Sequence, residues 1–272
     1  MEVREKPIGI FDSGVGGLTV AKEIMRLLPD ENIVYFGDTA RVPYGSKSKE
    51  TITRFAFEGV RFLMKQDVKM IVIACNTVSA TCLEELQREI PVPVIGVIEP
   101  GARAAVKATE NGLIGVIGTE RTVNSGAYIR AIESLNGGVK VFSKACPLFV
   151  PLVEEGWLDN EVAYFAARIY LEPLKKEGID TLVLGCTHYP LLKPTLKKVM
   201  GDKVFLVDSA LETAREVEKI LCEKSLKRTK EGDPTYRFFV SDNPDKFIKV
   251  GERFLKRPID PISVIDPEIE TL

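Results

Sequence analysis

Two cysteines of this chain sit in matching surroundings. Residues 71–77 read IVIACNT and residues 182–188 read LVLGCTH: an apolar run, a small residue, a cysteine, then a threonine within two positions. Cys75 and Cys186 lie 111 residues apart in a chain of 272. A single free cysteine is more often a small core residue than a reactive one. A matched pair at the ends of two apolar runs, each followed by polar residues, points instead to two thiols facing one substrate. Few reactions need that arrangement. The leading one takes a proton from one face of a carbon and returns a proton to the other. Cys82, Cys146 and Cys222 lack this context and are read as packing residues.

Other groups gather around the pair. A helix is expected soon after each cysteine, with Pro190 as a first-turn residue after Cys186. A thiol at a helix N-terminus meets the positive end of the backbone dipole, so both thiols are expected to have a lowered pKa. The N–H groups and threonine hydroxyls that follow suit a carboxylate. His188, the sole histidine, stands two positions after Cys186 and is placed to tune that thiol or to move a proton. DSGVGG at 12–17 closes one strand and opens a helix; Asp12 and Ser13 stand where a ligand would be met, although both also suit a helix cap. Asp12 is placed to orient a substrate ammonium or to draw the proton from Cys75. The loop is neither GxGxxG nor a lysine-bearing phosphate loop. GDTARVPYG at 37–45, by itself a turn-rich loop, holds Pro43 and offers the backbone N–H groups of Tyr44 and Gly45 and the Tyr44 phenol, and CPLFVPLVEEG at 146–156 places Glu154 after an apolar stretch, where it suits either support of His188 or an exposed helix-end charge. One histidine and no CxxC pair leave the usual zinc and disulfide-exchange spacings unmet, so neither a metal nor a redox centre is expected.

The elements that must position these residues are legible as an alternation. Apolar runs at 8–11, 32–36, 70–74, 92–98, 113–117, 139–142, 180–185 and 203–207 predict strands buried on both faces. Helical patterns fall between them at 17–28, 48–65, 79–88, 101–109, 123–135, 161–176, 190–199 and 209–224, which predicts an α/β protein with parallel sheets. The alternation runs twice, because IGIFDSGVGG at 8–17 is echoed by LIGVIGTERT at 113–122. The expected fold is two pseudo-symmetric domains, each a mostly parallel sheet flanked by helices, with the active site in the cleft between them. Residues 1–98 plus 209–272 are assigned to the first domain and 99–208 to the second. A strand at 236–240 and a helix at 243–255 have no counterpart in the second half and are expected to return to the first domain. Ligands of open parallel sheets bind beyond the carboxyl ends of the strands, where both cysteines fall.

Composition narrows the class further. Hydrophobic content of 45% and charged content of 28% are those of an ordinary globular protein. A net charge of −2 gives no basic field for nucleic acid or an anionic membrane. KSLKRTK at 224–230 is read as solvated surface. No apolar run approaches a membrane span, the charged N-terminus does not read as an export signal, and five scattered cysteines do not form a disulfide framework. A cytoplasmic protein with reduced thiols is expected, and a homodimer on the general prevalence of such assemblies.

DSGVGG, GDTARVPYG, ACNT, EPG, CPLFVPLVE and GCTHYPLL occur in the order found in glutamate racemases, cofactor-independent members of the aspartate/glutamate racemase superfamily, and the chain resembles that family over about residues 8 to 210. The resemblance implies interconversion of L- and D-glutamate, supplying D-glutamate for peptidoglycan. It implies Cys75 and Cys186 as the two bases, Asp12 assisting the first, and Glu154 and His188 assisting the second. Ser13, Tyr44, Gly45, Asn76, Thr77, Thr119 and Thr187 match substrate-binding positions. Some relatives carry an N-terminal extension and depend on a cell-wall precursor; DSGVGG begins at residue 12 here, so that dependence is not expected. Two rival readings are a superfamily reaction on aspartate or a hydantoin, and a two-domain binding protein without catalysis.

Overall fold

The computed structural model describes residues 2–270. Two sheets organise the chain. The first is built from β1 (Ile8–Asp12), β2 (Ile33–Gly37), β3 (Met70–Ile73) and β4 (Val94–Gly96), and the second from β5 (Leu113–Gly118), β6 (Lys140–Ala145), β7 (Thr181–Gly185) and β8 (Phe205–Asp208). Two late strands, β9 (Tyr236–Val240) and β10 (Ile262–Val264), extend the first sheet beyond β2. The orders are β10-β9-β2-β1-β3-β4 and β6-β5-β7-β8, and every described pairing is parallel. Removing β9 and β10 leaves the same order twice, with β1, β2, β3 and β4 corresponding to β5, β6, β7 and β8.

Parallel strands require crossovers, and helices supply them. They are α1 (Leu18–Leu27), α2 (Lys49–Lys65), α3 (Asn76–Glu89), α4 (Ile98–Ala108), α5 (Glu120–Asn124), α6 (Ala127–Leu135), α7 (Phe149–Glu154), α8 (Glu161–Lys176), α9 (Lys193–Met200), α10 (Ser209–Glu223), α11 (Pro244–Leu255) and α12 (Pro267–Glu270). Strand side chains alternate between faces. Phe11, Val34, Phe36, Ile71 and Ile73 fill a core beneath α2 and α3, and Ile114, Val116 and Val183 fill another beneath α4 and α6. The opposite faces share one core: Ile10, Tyr35 and Val72 of the first sheet and Ile117, Leu182 and Leu184 of the second join the same cluster, with α1, α10 and α11 packed into it. Burying side chains of this size contributes about 1.5–3 kcal/mol each, so the two sheets are held against one another by core, not by a linker.

The α/β architecture with doubled parallel sheets agrees with the sequence expectation. Four details differ from it. The short α7 was hidden in CPLFVPLVE, because six residues are too few to show a helical period. Pro190 does not open an α-helix: Tyr189–Leu192 is a 3-10 turn, and α9 starts at Lys193 with Pro194 in its first turn. Cys222 faces outward from α10 and is exposed rather than packed, unlike Cys82 and Cys146. The 224–230 segment is solvated only in part. Lys224, Lys227 and Lys230 are exposed, but the Arg228 side chain is 7% exposed and lies 3.3 Å from Glu5, beside the buried Lys69–Glu31 ion pair.

Candidate active site

All the sequence-selected residues lie at or beyond the carboxyl ends of strands. Asp12 ends β1 and Ser13 follows it, Pro43–Gly45 follow β2, and Cys75–Thr77 follow β3. In the second half Thr119 follows β5, Glu154 ends α7 beyond β6, and Cys186–His188 follow β7. β1 pairs with β3 and β5 pairs with β7, so each half offers two adjacent strand ends. The loops of the two halves meet around a cavity of about 350 Å³ lined by both cysteines, Ser13, Pro43, Tyr44, Gly45, Asn76, Thr77, Thr119, Glu154, Thr187 and His188. Asp12 does not line it. Its carboxylate is 1% exposed and lies behind the wall, accepting the Gly14 N–H at 3.0 Å. The position proposed for Asp12 beside a substrate ammonium is therefore not one the side chain occupies. Gly14 of DSGVGG and Val42, Ser46, Glu120, Pro147, Val150 and Pro151 complete the wall; the last six were not foreseen, since nothing in their residue types marks them.

Close approach of the halves depends on two glycines. A β-carbon on Gly16 would lie 2.2 Å from Thr187 Oγ1 and 2.5 Å from His188 Nδ1, and one on Gly45 would lie 2.8 Å from Thr119 Cβ. The seam is then stitched by hydroxyls. Thr77 Oγ1 lies 3.0 Å from Thr119 Oγ1, which is also 3.0 Å from Thr122 Oγ1, and the Thr19 hydroxyl donates to the Thr187 carbonyl at 3.3 Å. The Tyr44 phenol is turned away from the cavity and donates to Asp38, which is fully buried and paired with Arg41 at 2.7 Å. Tyr44 thus contributes ring and backbone, and GDTAR is the brace that holds its loop.

Each thiol has its own partner. Cys75 Sγ lies 3.3 Å from the Ser13 hydroxyl, and Cys186 Sγ lies 3.9 Å from His188 Nδ1. The imidazole reaches Glu154 through Nε2 at 3.2 Å. Across the seam, α11 closes over this pair: Phe254 packs edge-on against the His188 ring at 5.4 Å, Arg253 donates to the Glu154 carbonyl at 3.1 Å, and Lys246 lies 3.5 Å from the Glu154 carboxylate. Sequence reading assigned α11 no such part, because the contact joins residues some 92 positions apart.

Residues 9–217 match the Asp/Glu/Hydantoin racemase family. The chain belongs to that family. It is 56% identical over 265 residues to a glutamate racemase of Geobacter metallireducens, covering 97% of this chain and 98% of the relative. It is 52% identical to a glutamate racemase of Neisseria meningitidis, covering 96% and 97%. Its fold superimposes with a TM-score of 0.93 on the Francisella tularensis glutamate racemase solved in complex with D-glutamate, at 40% identity over 98% of this chain and 99% of that one.

The electrostatics of this racemase correct one expectation. Cys75 does cap α3, yet burial and the nearby Asp12 charge push its thiol up to about 12 despite the Ser13 and Val78 donors. A helix dipole acts within one turn and is worth at most about 2 kcal/mol, and here desolvation wins. Cys186 caps no α-helix, since the 3-10 turn intervenes. Burial likewise raises Asp12, against the opposing pull of His188 and the backbone N–H groups. For His188, burial alone would lower the pKa, but hydrogen bonds to Cys186 and Glu154 outweigh it and raise it to about 10. Its hydrogen bond holds Glu154 below the usual carboxylate value, although burial opposes this. The second half therefore carries an imidazolium–carboxylate pair beside its thiol.

Proposed function

We propose that this racemase interconverts L- and D-glutamate by a two-thiol mechanism without a cofactor. The observation that carries the reading is the meeting of Cys75 and Cys186, from equivalent strand ends of two sheets, on one cavity. One sulfur takes the α-proton as a thiolate while the other, as a thiol, returns a proton to the opposite face. Two groups are required because a single base does not reach both faces of a held carbon. The α-hydrogen of an amino acid is a weak acid, since the adjacent carboxylate is already negative. Donors from Ser13, Asn76, Thr77, Thr119 and Thr187 bind that carboxylate and offset the charge that develops on it. His188, backed by Glu154, exchanges protons with Cys186. Asp12 serves Cys75 from behind the wall. The product D-glutamate supplies peptidoglycan synthesis.

Residues 1–98 with 209–272 form one catalytic half and 99–208 the other, a division supported by the strands each contributes. Five unpaired cysteines support a cytoplasmic setting. Among the described residues no helix is long and apolar enough to cross a membrane. A homodimer is supported by Val162, Phe165 and Ile169, an exposed apolar stripe on α8.

The test is circular dichroism of L-glutamate, run beside L-aspartate, with dialysed protein and chelator, followed by NMR of the product formed in deuterium oxide. Glutamate ellipticity decays to zero and deuterium enters the α-carbon of the product enantiomer. Product that keeps its proton would point to one shielded base and end the two-thiol reading. Decay of the aspartate signal alone would keep the chemistry and change the substrate.

A further inference from the structure

Asn76 follows the first thiol, is 3% exposed and lines the cavity. Its Oδ1 accepts the Tyr128 hydroxyl at 2.7 Å, while its Nδ2 has no partner among the described residues. A buried amide with free N–H groups on a cavity wall is a ready donor to a carboxylate. Which end of the amide faces the cavity depends on Tyr128, which comes from α6 of the other half.

Tyr128 is itself fixed on several sides. The ring is 2% exposed and packs on Gly185, the residue before the second thiol: a β-carbon there would lie 3.0 Å from Tyr128 Cε2. On another side Gly101, the glycine of EPG, leaves room for the phenol, since a β-carbon would stand 3.3 Å from the Tyr128 hydroxyl oxygen and 3.2 Å from Ser209 Cβ. Ser209 therefore stands beside that phenol, on the same side as Gly101. Burial raises the phenol above its ordinary value, so it keeps its proton and remains a donor. One side chain thus touches the residue after Cys75 and the residue before Cys186. EPG, a motif that no site role had absorbed, receives a physical reason.

We propose that Tyr128 is a positioning residue that locks the Asn76 amide with its N–H groups toward the substrate and holds the two thiol loops in register across the seam. Without the phenolic hydroxyl the amide is free to turn. Its oxygen then faces the substrate carboxylate, and acceptor meets acceptor. The inference rests on glutamate binding between the two cysteines.

A double-mutant cycle tests it. Tyr128→Phe keeps the ring and removes one hydroxyl. The KM for glutamate is expected to rise about tenfold, the worth of one hydrogen bond, with kcat reduced much less, equally from both enantiomers. Asn76→Ala raises KM by at least as much. Adding Tyr128→Phe to Asn76→Ala then changes KM by less than about twofold, because the residues act as one unit. Ser209→Ala, which leaves the phenol in place, gives a smaller rise in the same direction and serves if Tyr128→Phe does not fold by circular dichroism. Additive effects in the double variant, or an unchanged KM in Tyr128→Phe, would overturn the proposal while leaving the thiol site intact. An unchanged KM in Asn76→Ala would also overturn it, and would fault the substrate placement as well.

Discussion

The two halves share a strand order and a cysteine at the same strand end, yet the surroundings of the two sulfurs differ. Around Cys75 the structure places a hydroxyl at 3.3 Å and a buried carboxylate behind the wall, with the thiol pushed up to about 12. Around Cys186 it places an imidazole, raised to about 10 and tied to Glu154 at 3.2 Å. A repeated fold fixes where a side chain stands, while the charge on that side chain is set by neighbours the repeat does not copy. A racemase has a use for the difference: in either direction one sulfur must lose a proton while the other still holds one.

The largest test of this contrast removes the sulfurs. Cys75→Ala and Cys186→Ala are each expected to lower racemisation at least about a thousandfold in the circular dichroism assay. Near-normal activity in either would mean that one half suffices. Next, Glu154→Gln breaks the relay on the second side only, and kcat is expected to fall about a hundredfold. His188 is the sole histidine, so its ring protons report directly in an NMR titration. In Glu154→Gln the pKa should move from about 10 down toward 6.5. The sign for stability follows from the raised folded-state value: the contribution is full below about pH 6.5 and is lost as pH rises through about 10. The melting deficit of Glu154→Gln against the parent protein should therefore be largest near pH 6 and fade toward pH 10; a constant deficit would mean the pair is packing rather than charge.

A smaller effect probes the first side. Asp12→Asn removes the charge that helps raise Cys75, so its thiol pKa should fall and its alkylation by iodoacetamide, followed by peptide mass spectrometry, should quicken near neutral pH. An unchanged rate would show that Asp12 does not act on Cys75 electrostatically. Least of all, Cys222→Ala on the outer face of α10 should leave activity unchanged and stability within about 0.5 kcal/mol. A large loss there would mean that a third thiol takes part.

Much of the fold was legible, because buried parallel strands advertise themselves as short Val/Ile-rich runs. The candidate site was legible where a motif stood at a strand end: Cys75, Cys186, Ser13 and Thr119 reach the cavity because their strands end there. What failed to show were distant pairings. The contacts of Phe254 with His188 and of Tyr128 with Asn76 join residues far apart in the chain, and neither phenylalanine nor tyrosine carries a mark of such service. The thiol pKa was misread for a related reason. The helix dipole is a local property readable from Cys75-Asn76-Thr77, whereas desolvation sums over everything packed around the sulfur.

The chain by itself determined the alternation of strands and helices, the doubling and the identity of the two sulfurs, since these follow from residue type and short-range period. Only the tertiary structure decided that Asp12 stands behind the wall, that α11 closes over the Glu154–His188 pair, and that Tyr128 spans both thiol loops. Those outcomes depend on which surfaces of the two halves are buried against each other. Burial of that kind is a property of packing in three dimensions that no local stretch of sequence encodes.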